Sequence, residues 1–307
     1  MQFLYLLESI RTDFLDTVFG AITTLGGKTL MLVICIITMW CVNKKRGYYL
    51  LTTCFTGIII NQTLKILFRI PRPWIKDPKF TIVASARGAA TGYSFPSGHT
   101  QNITIAMGAP ARFIKNTAVR IVCITIIALV AFSRMYLGVH TPLDVVVSLV
   151  IGAALVMSFY PFFDRSDEKP GPVYIIMGVM CALALLLTML TELYNWPADI
   201  DLHNLESARE AGYLTSGCSL ATLISYYLDR KYVHSETGAV WWLQIIKLVV
   251  GLALILAIKE GLKPVFAMII GDHPITSAIR YFLMVLFGAL IWPGIITWIS
   301  KKLPVKK

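Results

Sequence analysis

A short polar turn, Gly92-Tyr93-Ser94-Phe95-Pro96-Ser97-Gly98-His99-Thr100, interrupts a chain that is otherwise largely apolar. Proline fixes φ, serine can cap a helix and glycine lets the backbone approach a ligand closely, so Pro96, Ser97 and Gly98 predict a turn that leads into a helix. The free N–H groups of a helix N-terminus bind anions. His99 stands where it could exchange a proton with such an anion, and the turn therefore predicts an anion site with a proton donor.

Further ionisable residues fall at the ends of apolar segments elsewhere in the chain. They are the cations Lys65, Arg72 and Arg134 and the pair His140 and Asp144. Charged groups near a membrane span are energetically costly and are functional candidates by default. Fixed cations, histidines and a carboxylate together suit a phosphoryl group, because catalysis of phosphoryl transfer consists largely of positioning and electrostatic stabilisation.

Each residue of this set has a predicted role in phosphate chemistry. His140 is the predicted nucleophile, since a neutral imidazole can attack phosphorus. Asp144, four residues further along a helix, can hold one ring nitrogen of His140 and fix its tautomer. His99 is then available as the general acid that protonates the leaving oxygen. Arginine can bind phosphate oxygens bidentately, and the predicted phosphate-binding residues are Lys65, Arg72, Ser97, Gly98 and Arg134.

Two other interpretations compete for the same residues. His99, His140 and Asp144 could form a metal site of two histidines and one carboxylate, but neighbouring cations would repel a metal ion and no further carboxylate is close in sequence. His140 and Asp144 could instead be a purely structural pair at a helix end, which leaves the cations unexplained. The sequence therefore favours a site without metal or cofactor.

The three motifs together resemble the tripartite signature of the type-2 phosphatidic acid phosphatase superfamily. They are Lys65-x6-Arg72-Pro73, then Pro96-Ser97-Gly98-His99, then Ser133-Arg134-x5-His140-x3-Asp144. Every signature position is matched over about residues 45–165. The resemblance implies a transiently phosphorylated His140, a core of about six helices and no required metal. Its branches include lipid phosphatases, glucose-6-phosphatase-like enzymes and soluble haloperoxidases, of which the last do not fit a membrane chain.

Composition places the chain in a membrane. Of 307 residues, 56% are hydrophobic and only 15% are charged, with a mean hydropathy of +0.69, whereas soluble domains average about 25% charged residues. The net charge of +11 comes from short loops between apolar segments, which is a topology signal rather than a nucleic-acid-binding surface. The cysteines lie in or beside apolar segments and form no C-x-x-C pair, so neither a disulfide framework nor a zinc site is expected.

The apolar runs predict an all-α, polytopic membrane bundle, because spans of about 20 residues must form helices in lipid. About nine spans are expected, near 28–43, 47–68, 98–114, 118–137, 142–163, 172–193, 210–229, 239–259 and 277–300. Residues 2–26 predict an amphipathic segment at the interface, with an apolar face of Leu4, Leu7, Ile10, Phe14, Val18 and Ile22. The expected division is an N-terminal amphipathic segment at 1–27, a phosphatase core at 28–195 and accessory helices at 196–307.

Basic residues at alternate connections predict the orientation. The connections at 43–46, 112–120, 165–169 and 230–231 and the lysine-rich C-terminus should be cytoplasmic, so the turn at 92–100 faces the other side. The N-terminus, on the same argument, is also non-cytoplasmic. Short loops and a compact chain favour a bacterial plasma membrane, with the site facing the periplasm or exterior.

The leading hypothesis is a phosphatase acting on a lipid phosphate or pyrophosphate, with the bilayer and this lipid as its partners. A site between helix ends admits a lipid head group from the outer leaflet while the tails stay in hydrocarbon. The alternatives are a soluble sugar-phosphate phosphatase with a polar cavity closed by loops 194–209 and 260–276, a lipid phosphotransferase, and a non-enzymatic transporter or scaffold. The apolar run 265–270, flanked by polar residues, suggests a hairpin or re-entrant lid, with an ordinary connecting loop as the simpler reading. Head group and oligomeric state are left open.

Overall fold

The computed structural model describes residues 1–88, 90–271 and 273–302, and every regular element in these ranges is helical. Single π-helical turns continue three of the helices, at Thr38–Val42, Asp229–Val233 and Phe287–Ile291. The α-helices in chain order are α1 (Gln2–Ser9), α2 (Asp13–Thr24), α3 (Lys28–Ile37), α4 (Lys44–Phe68), α5 (Pro73–Lys76), α6 (Gly98–Phe113), α7 (Thr117–Tyr136), α8 (Pro142–Asp164), α9 (Gly171–Leu193), α10 (Leu202–Leu228), α11 (Trp241–Ile270), α12 (Ile275–Leu286) and α13 (Trp292–Lys302).

Six helical stretches of the described chain are long and apolar enough to cross a bilayer. They are α4 with α5, α7, α8, α9, α11, and α12 with α13. Helices α2 and α3 meet the same test only as a pair bent by 43°. All the predicted spans are helical, but α6, with 16 residues, is too short to be counted as a span, and α10 is not apolar enough. The all-helical membrane fold is therefore confirmed, and the count of about nine spans stays a prediction.

The N-terminal segment forms two helices rather than the single amphipathic stretch predicted for residues 2–26. Helix α1 ends before Ile10, and the Thr12 side chain caps α2 by accepting a hydrogen bond from the Leu15 N–H group at 3.3 Å. Of the expected apolar face, Leu4 and Leu7 are buried in the protein, whereas Ile10 is 50% and Phe14 75% exposed. Helix α2 packs against α7, so the segment contacts the bundle as well as the surrounding medium.

Four helix ends meet at one end of the bundle. Successive helices reverse direction, so α4 ends, α6 begins, α7 ends and α8 begins at the same level. Helix α6 packs against α4, α7 and α8, and its buried Ile105, Ala106 and Ala109 belong to the main apolar core. The opposite end carries basic connections that the sequence assigns to the cytoplasm: Lys45 binds Asp167 at 2.6 Å and Arg112 stacks over Tyr160 at 4.5 Å. The polar motif residues and the basic loops thus lie at opposite ends.

The C-terminal helices pack directly on the first half of the chain. Helix α10 contacts α4, α9 and α12, and Lys44 forms an ion pair of 2.6 Å with the buried Asp229. Helix α11 continues without interruption through Pro264 to Ile270, so the predicted hairpin or re-entrant lid is wrong. Part of that loop, Asp272, and the lysines at 306 and 307 lie outside the described residues.

Candidate active site

The site is built by the four helix ends and the turns that follow them. Lys65 lies in the last turn of α4 and Arg72 caps α5, while Arg134 lies in the last turn of α7. Lys65 and Arg72 are each 4% exposed and Arg134 is 0% exposed. Burial of three cations in one region is costly unless they are paired or hydrogen-bonded. Donor groups of these cations that lack an acceptor in the protein are therefore the groups available to bind an anion.

His140 lies in the turn between α7 and α8, where it is 1% exposed. Arg72 Nη1 lies 3.0 Å from His140 Nε2. Because a guanidinium is always protonated and only donates, Nε2 must accept, and the ring proton is therefore assigned to Nδ1. Burial, and then the positive charges of Arg72, Arg134 and Lys65, hold the pKa of His140 well below its ordinary value of 6.5. The imidazole is therefore neutral, with its Nε2 lone pair directed at the cations.

Asp144 faces the other ring nitrogen of His140. Its Oδ2 lies 3.5 Å from Nδ1, and Nδ1 makes no hydrogen bond within the described part of the chain. The distance is long for a hydrogen bond, so this is a contact between correctly oriented groups; such distances often shorten when a ligand binds. Asp144 and His140 therefore occupy the relative positions that the i, i+4 spacing predicts.

Two donors that the sequence analysis missed fix the Asp144 carboxylate. Ser94 Oγ donates to Oδ2 at 2.6 Å and the Thr141 N–H group donates to the same oxygen at 2.8 Å. Thr141 and Asp144 also form a reciprocal capping box at the start of α8. The Thr-x-x-Asp pattern is a recognisable capping-box signal, whereas nothing in the sequence marks Ser94 beyond its place in the polar turn.

Consecutive backbone carbonyls hold Arg72 and Lys65. Arg72 donates from Nη2 to Thr91 O at 2.7 Å and from Nε to Gly92 O at 3.1 Å, and Lys65 Nζ donates to Tyr93 O. Gly92 has a φ of +70°, a conformation that glycine adopts without steric cost. Arg72 Nη1 also donates to Val139 O at 2.9 Å, so this guanidinium is well satisfied.

Arg134 is different, because part of its guanidinium has no partner. Nη1 donates to Thr23 Oγ1 at 2.6 Å, while Nε and Nη2 are buried and find no acceptor among the described residues. An unsatisfied buried donor costs roughly 1–3 kcal/mol, and more when it is charged. Nε and Nη2 form the side-on fork that matches two oxygens of a carboxylate or phosphate, so an anion at this point would satisfy both.

The Pro96–His99 turn has the predicted form. Ser97 caps α6, because its Oγ accepts from the Thr100 N–H group at 3.5 Å and also from the Thr100 hydroxyl at 3.0 Å. Gly98 is the first helical residue, where the N–H group has no intrahelical partner. From α4, Asn61 Nδ2 supports the turn by donating to Pro96 O at 3.3 Å. His99 is half-buried, and burial, followed by the positive charges of Arg134 and Arg72, lowers its pKa to about 3. All the predicted site residues are therefore brought to one end of the bundle.

A cavity of about 600 Å³ opens beside Arg72. Its apolar wall comes from Phe68, Trp74 and Ile75, and its polar wall from residues 199–204, which precede and begin α10. Part of the 194–209 loop therefore lines this cavity, and the described residues of 260–276 do not. Across the described ranges, no group of three or more His, Cys, Asp or Glu side chains is arranged to hold a metal ion.

Models of one superfamily match two parts of the chain. The PAP2 superfamily model matches residues 46–168, a range that contains every predicted site residue, and the model for the transmembrane extension of PAP2 superfamily phosphatases matches residues 213–302. The chain therefore belongs to the PAP2 superfamily, as the three motifs indicate. With its apolar helices, this makes it an integral membrane protein.

Curated relatives extend this result. The undecaprenyl-diphosphatase BcrC of Bacillus subtilis is 30% identical over 125 residues, which are 40% of this chain and 60% of the relative. A probable sphingosine-1-phosphate phosphatase of Dictyostelium discoideum is 27% identical over 240 residues, 74% of this chain and 57% of the relative. Phosphatidylglycerophosphatase B of Bacillus subtilis is 27% identical over 174 residues, 52% of this chain and 79% of the relative.

The chain spans about three fifths of the length of the first two relatives. No solved structure gives a significant match to it.

Proposed function

We propose that this protein is a membrane-embedded phosphatase that hydrolyses a lipid phosphate or pyrophosphate through a phosphohistidine at His140. The observation that carries the proposal is a buried His140 with Nε2 on Arg72 and Nδ1 facing Asp144, beside Nε and Nη2 of Arg134, which have no partner in the part of the chain that the structure describes. The relatives' names support the substrate class, because undecaprenyl diphosphate, sphingosine 1-phosphate and phosphatidylglycerophosphate are all lipids with a terminal phosphate or diphosphate.

In the first step the substrate phosphate binds the Nε and Nη2 groups of Arg134. It also replaces His140 Nε2 as the partner of Arg72 Nη1, which frees the Nε2 lone pair. The bound phosphate anion offsets the cations beside His99, which raises the pKa of this imidazole and lets it take up a proton from water. Nε2 then attacks phosphorus, the bond from phosphorus to the leaving oxygen breaks, and His99 gives that oxygen its proton. Asp144 holds the Nδ1 proton and stabilises the positive charge that develops on the ring.

In the second step water completes the hydrolysis. A water molecule attacks the phosphorus of phosphohistidine and loses a proton to His99, which is now a base. The bond from phosphorus to Nε2 breaks, so inorganic phosphate leaves and neutral His140 is restored. Lys65, Ser97 and the Gly98 N–H group are assigned to the remaining phosphate oxygens in both steps, where charge on these oxygens must be stabilised.

The membrane setting supports a lipid substrate. The site lies where helix ends meet, so a head group can reach it while its tail stays in hydrocarbon. The basic connections support a cytoplasmic position for their end of the bundle, and we propose that the site faces the exterior or periplasm across a bacterial plasma membrane. We retain the division into an N-terminal segment at 1–27, a phosphatase core at 28–195 and accessory helices at 196–307 as part of this proposal.

The cavity beside Arg72 favours one second candidate, a soluble sugar phosphate. Asp199, Asp201 and Asn204 on its wall could accept or donate hydrogen bonds to sugar hydroxyls. Hydrolysis of glucose 6-phosphate at a rate equal to that of a long-chain lipid phosphate would favour this candidate over the first.

The test uses the purified full chain in detergent. Phosphate release is measured in EDTA from a lipid monophosphate, a polyprenyl diphosphate and glucose 6-phosphate, and alkaline quenching followed by peptide mass spectrometry locates the phosphohistidine. We expect release from the lipids and its loss in His140→Ala; release that persists in this variant would overturn the mechanism. Transfer of phosphate to an added alcohol would identify a phosphotransferase, and no release from any substrate would favour a transporter or scaffold.

A further inference from the structure

The N-terminal helices reach the centre of the site through Thr23. This residue lies in the last turn of α2, is 7% exposed, and accepts a hydrogen bond of 2.6 Å from Arg134 Nη1, although the two residues are 111 positions apart in the chain. Among the described residues, Thr23 is the one hydrogen-bond partner of the Arg134 side chain. The sequence assigned residues 1–27 to the membrane interface, outside the site.

Helix α2 is attached to the same turn of α7 that carries Arg134. The Tyr136 hydroxyl donates a hydrogen bond to Asp16 Oδ1 at 2.9 Å, and the Tyr136 ring centroid lies 4.4 Å from that of Phe19. Arg11, between α1 and α2, donates from Nε to Tyr136 O at 3.0 Å and from Nη1 to Thr81 O at 2.9 Å. These contacts fix the height of α2 along α7, and with it the position of Thr23.

The connection from α2 to α3 also contacts the helix that begins at the Pro96–His99 turn. A Cβ atom on Gly26 would lie 2.9 Å from His99 Cβ and 2.9 Å from Val130 Cγ1, so the backbone is in close contact with α6 and α7. Asn102 Nδ2 donates to Gly26 O at 3.4 Å. Thr23 is thus held from both sides, by α7 before it and by α6 after it.

We propose that Thr23 is a positioning residue that orients the Arg134 guanidinium for phosphate. A guanidinium is planar, so a hydrogen bond at Nη1 restricts the direction of its opposite edge. That edge carries Nε and Nη2, the two donors that lack a partner within the described ranges and the pair suited to two phosphate oxygens. Thr23 touches no reacting atom and acts only through Arg134. The inference rests on the proposed function for the identity of the ligand.

The experiment compares Thr23→Val, which keeps the shape but removes the acceptor, with Thr23→Ser, which keeps the hydroxyl. Thr24→Val is the matched control, because the Thr24 hydroxyl is exposed and donates to Ala21 O in its own helix at 2.7 Å, away from Arg134. The readouts are kcat/KM on the best wild-type substrate and the rise in unfolding temperature produced by orthovanadate. We expect Thr23→Val to lose about tenfold to hundredfold in kcat/KM, the range for a hydrogen bond to a charged group, together with most of the vanadate effect, while the other two variants stay near wild type.

A double-mutant cycle separates positioning from general damage. In an Arg134→Lys background the Thr23→Val change should cause little further loss, whereas independent additive losses would overturn the proposal. If Thr23→Val does not fold, Thr23→Ala takes its place in the same comparisons.

The two proposals fail in different ways. A wild-type protein that hydrolyses no substrate but loses its vanadate protection on Thr23→Val would overturn the proposed function and support the positioning role. If wild type and Thr23→Val have equal rates and the same vanadate-induced rise in unfolding temperature, the positioning role is overturned and the proposed function stands. The same conclusion follows if the wild-type protein hydrolyses lipid phosphate but vanadate does not raise its unfolding temperature.

Discussion

Ser94 gives a sharp test of the proposed mechanism, because its hydroxyl contacts the carboxylate behind the nucleophile. Ser94 Oγ donates to Asp144 Oδ2 at 2.6 Å, and both residues are almost completely buried. Ser94→Ala removes this donor and leaves the Thr141 N–H group on the same oxygen. The carboxylate then keeps its charge and its cap but loses the donor that comes from the 92–100 turn.

The expected fall in kcat follows from the strength of a hydrogen bond to a charged group. A hydrogen bond to a charged group contributes about 1.5–3 kcal/mol, and each 1.4 kcal/mol is a factor of ten in rate. If the Ser94 contact holds Asp144 in line with His140 Nδ1, Ser94→Ala lowers kcat by about tenfold to hundredfold. The substrate-binding arginines are untouched, so KM should change by less than kcat.

Ser148 offers a matched control on the same helix. It is also 0% exposed, and its hydroxyl donates to the backbone carbonyl of Asp144 at 2.7 Å. Ser148→Ala removes a buried hydroxyl of equal size without changing the carboxylate contacts, and we expect kcat to stay within about threefold of wild type because i→i−4 serine bonds in helices contribute little. Equal kcat values for wild type, Ser94→Ala and Ser148→Ala, measured on lipid phosphate in detergent, would refute the role given to Ser94 and Asp144.

Two further predictions concern the charge at His140 and the turn that carries it. Burial and neighbouring cations lower the His140 pKa, so the neutral nucleophile persists as the pH falls below 6.5. Arg72→Gln removes one of these cations and should move the acid limb of the kcat/KM profile, corrected for substrate ionisation, to higher pH. An acid limb that does not move would contradict the neutral state assigned to His140. Gly138 has a φ of +78°, and a Cβ there would lie 2.7 Å from Arg11 Nη2, so Gly138→Ala should lower the free energy of unfolding by about 1–2 kcal/mol or more. The control Gly178→Ala, on a helix with no atom within 4 Å of the new Cβ, should not destabilise, and equal unfolding temperatures for the two variants would argue against strain at Gly138.

The convergence of the motif residues was predictable because the lengths of the apolar runs determine where helices end. Lys65, His99, Arg134 and Asp144 each stand within a turn of a helix end in the sequence pattern, and alternate helix directions bring those ends together. The i, i+4 relation of His140 and Asp144 follows from helix geometry alone. Charge and spacing were therefore sufficient to predict which residues lie together, whereas their catalytic and binding roles stay proposals.

The supporting residues could not be predicted in the same way. Thr23 and Ser94 are short, uncharged and distant in sequence from the groups they contact, so neither periodicity nor charge marks them. The lid prediction failed for a different reason: Lys259, Glu260 and Pro264 resemble a break in an apolar run, but Lys259 and Glu260 pair with each other at 2.8 Å and α11 continues through the proline. Proline is tolerated in membrane helices when the freed backbone groups find other partners.

The partners of the three cations explain how a buried positive site can persist and still bind an anion. Lys65, Arg72 and Arg134 form no ion pair with a carboxylate in the described ranges; their acceptors are backbone carbonyls, a threonine hydroxyl and a neutral imidazole. Such neutral dipoles offset part of the desolvation cost without cancelling the charge. A carboxylate partner would have to be displaced or would repel an incoming phosphate, whereas a carbonyl can keep one N–H group while a phosphate oxygen takes another. An anion that binds the folded state would recover the stability given up in the empty site, so the arrangement that makes the site costly would favour the phosphate of the proposed substrate.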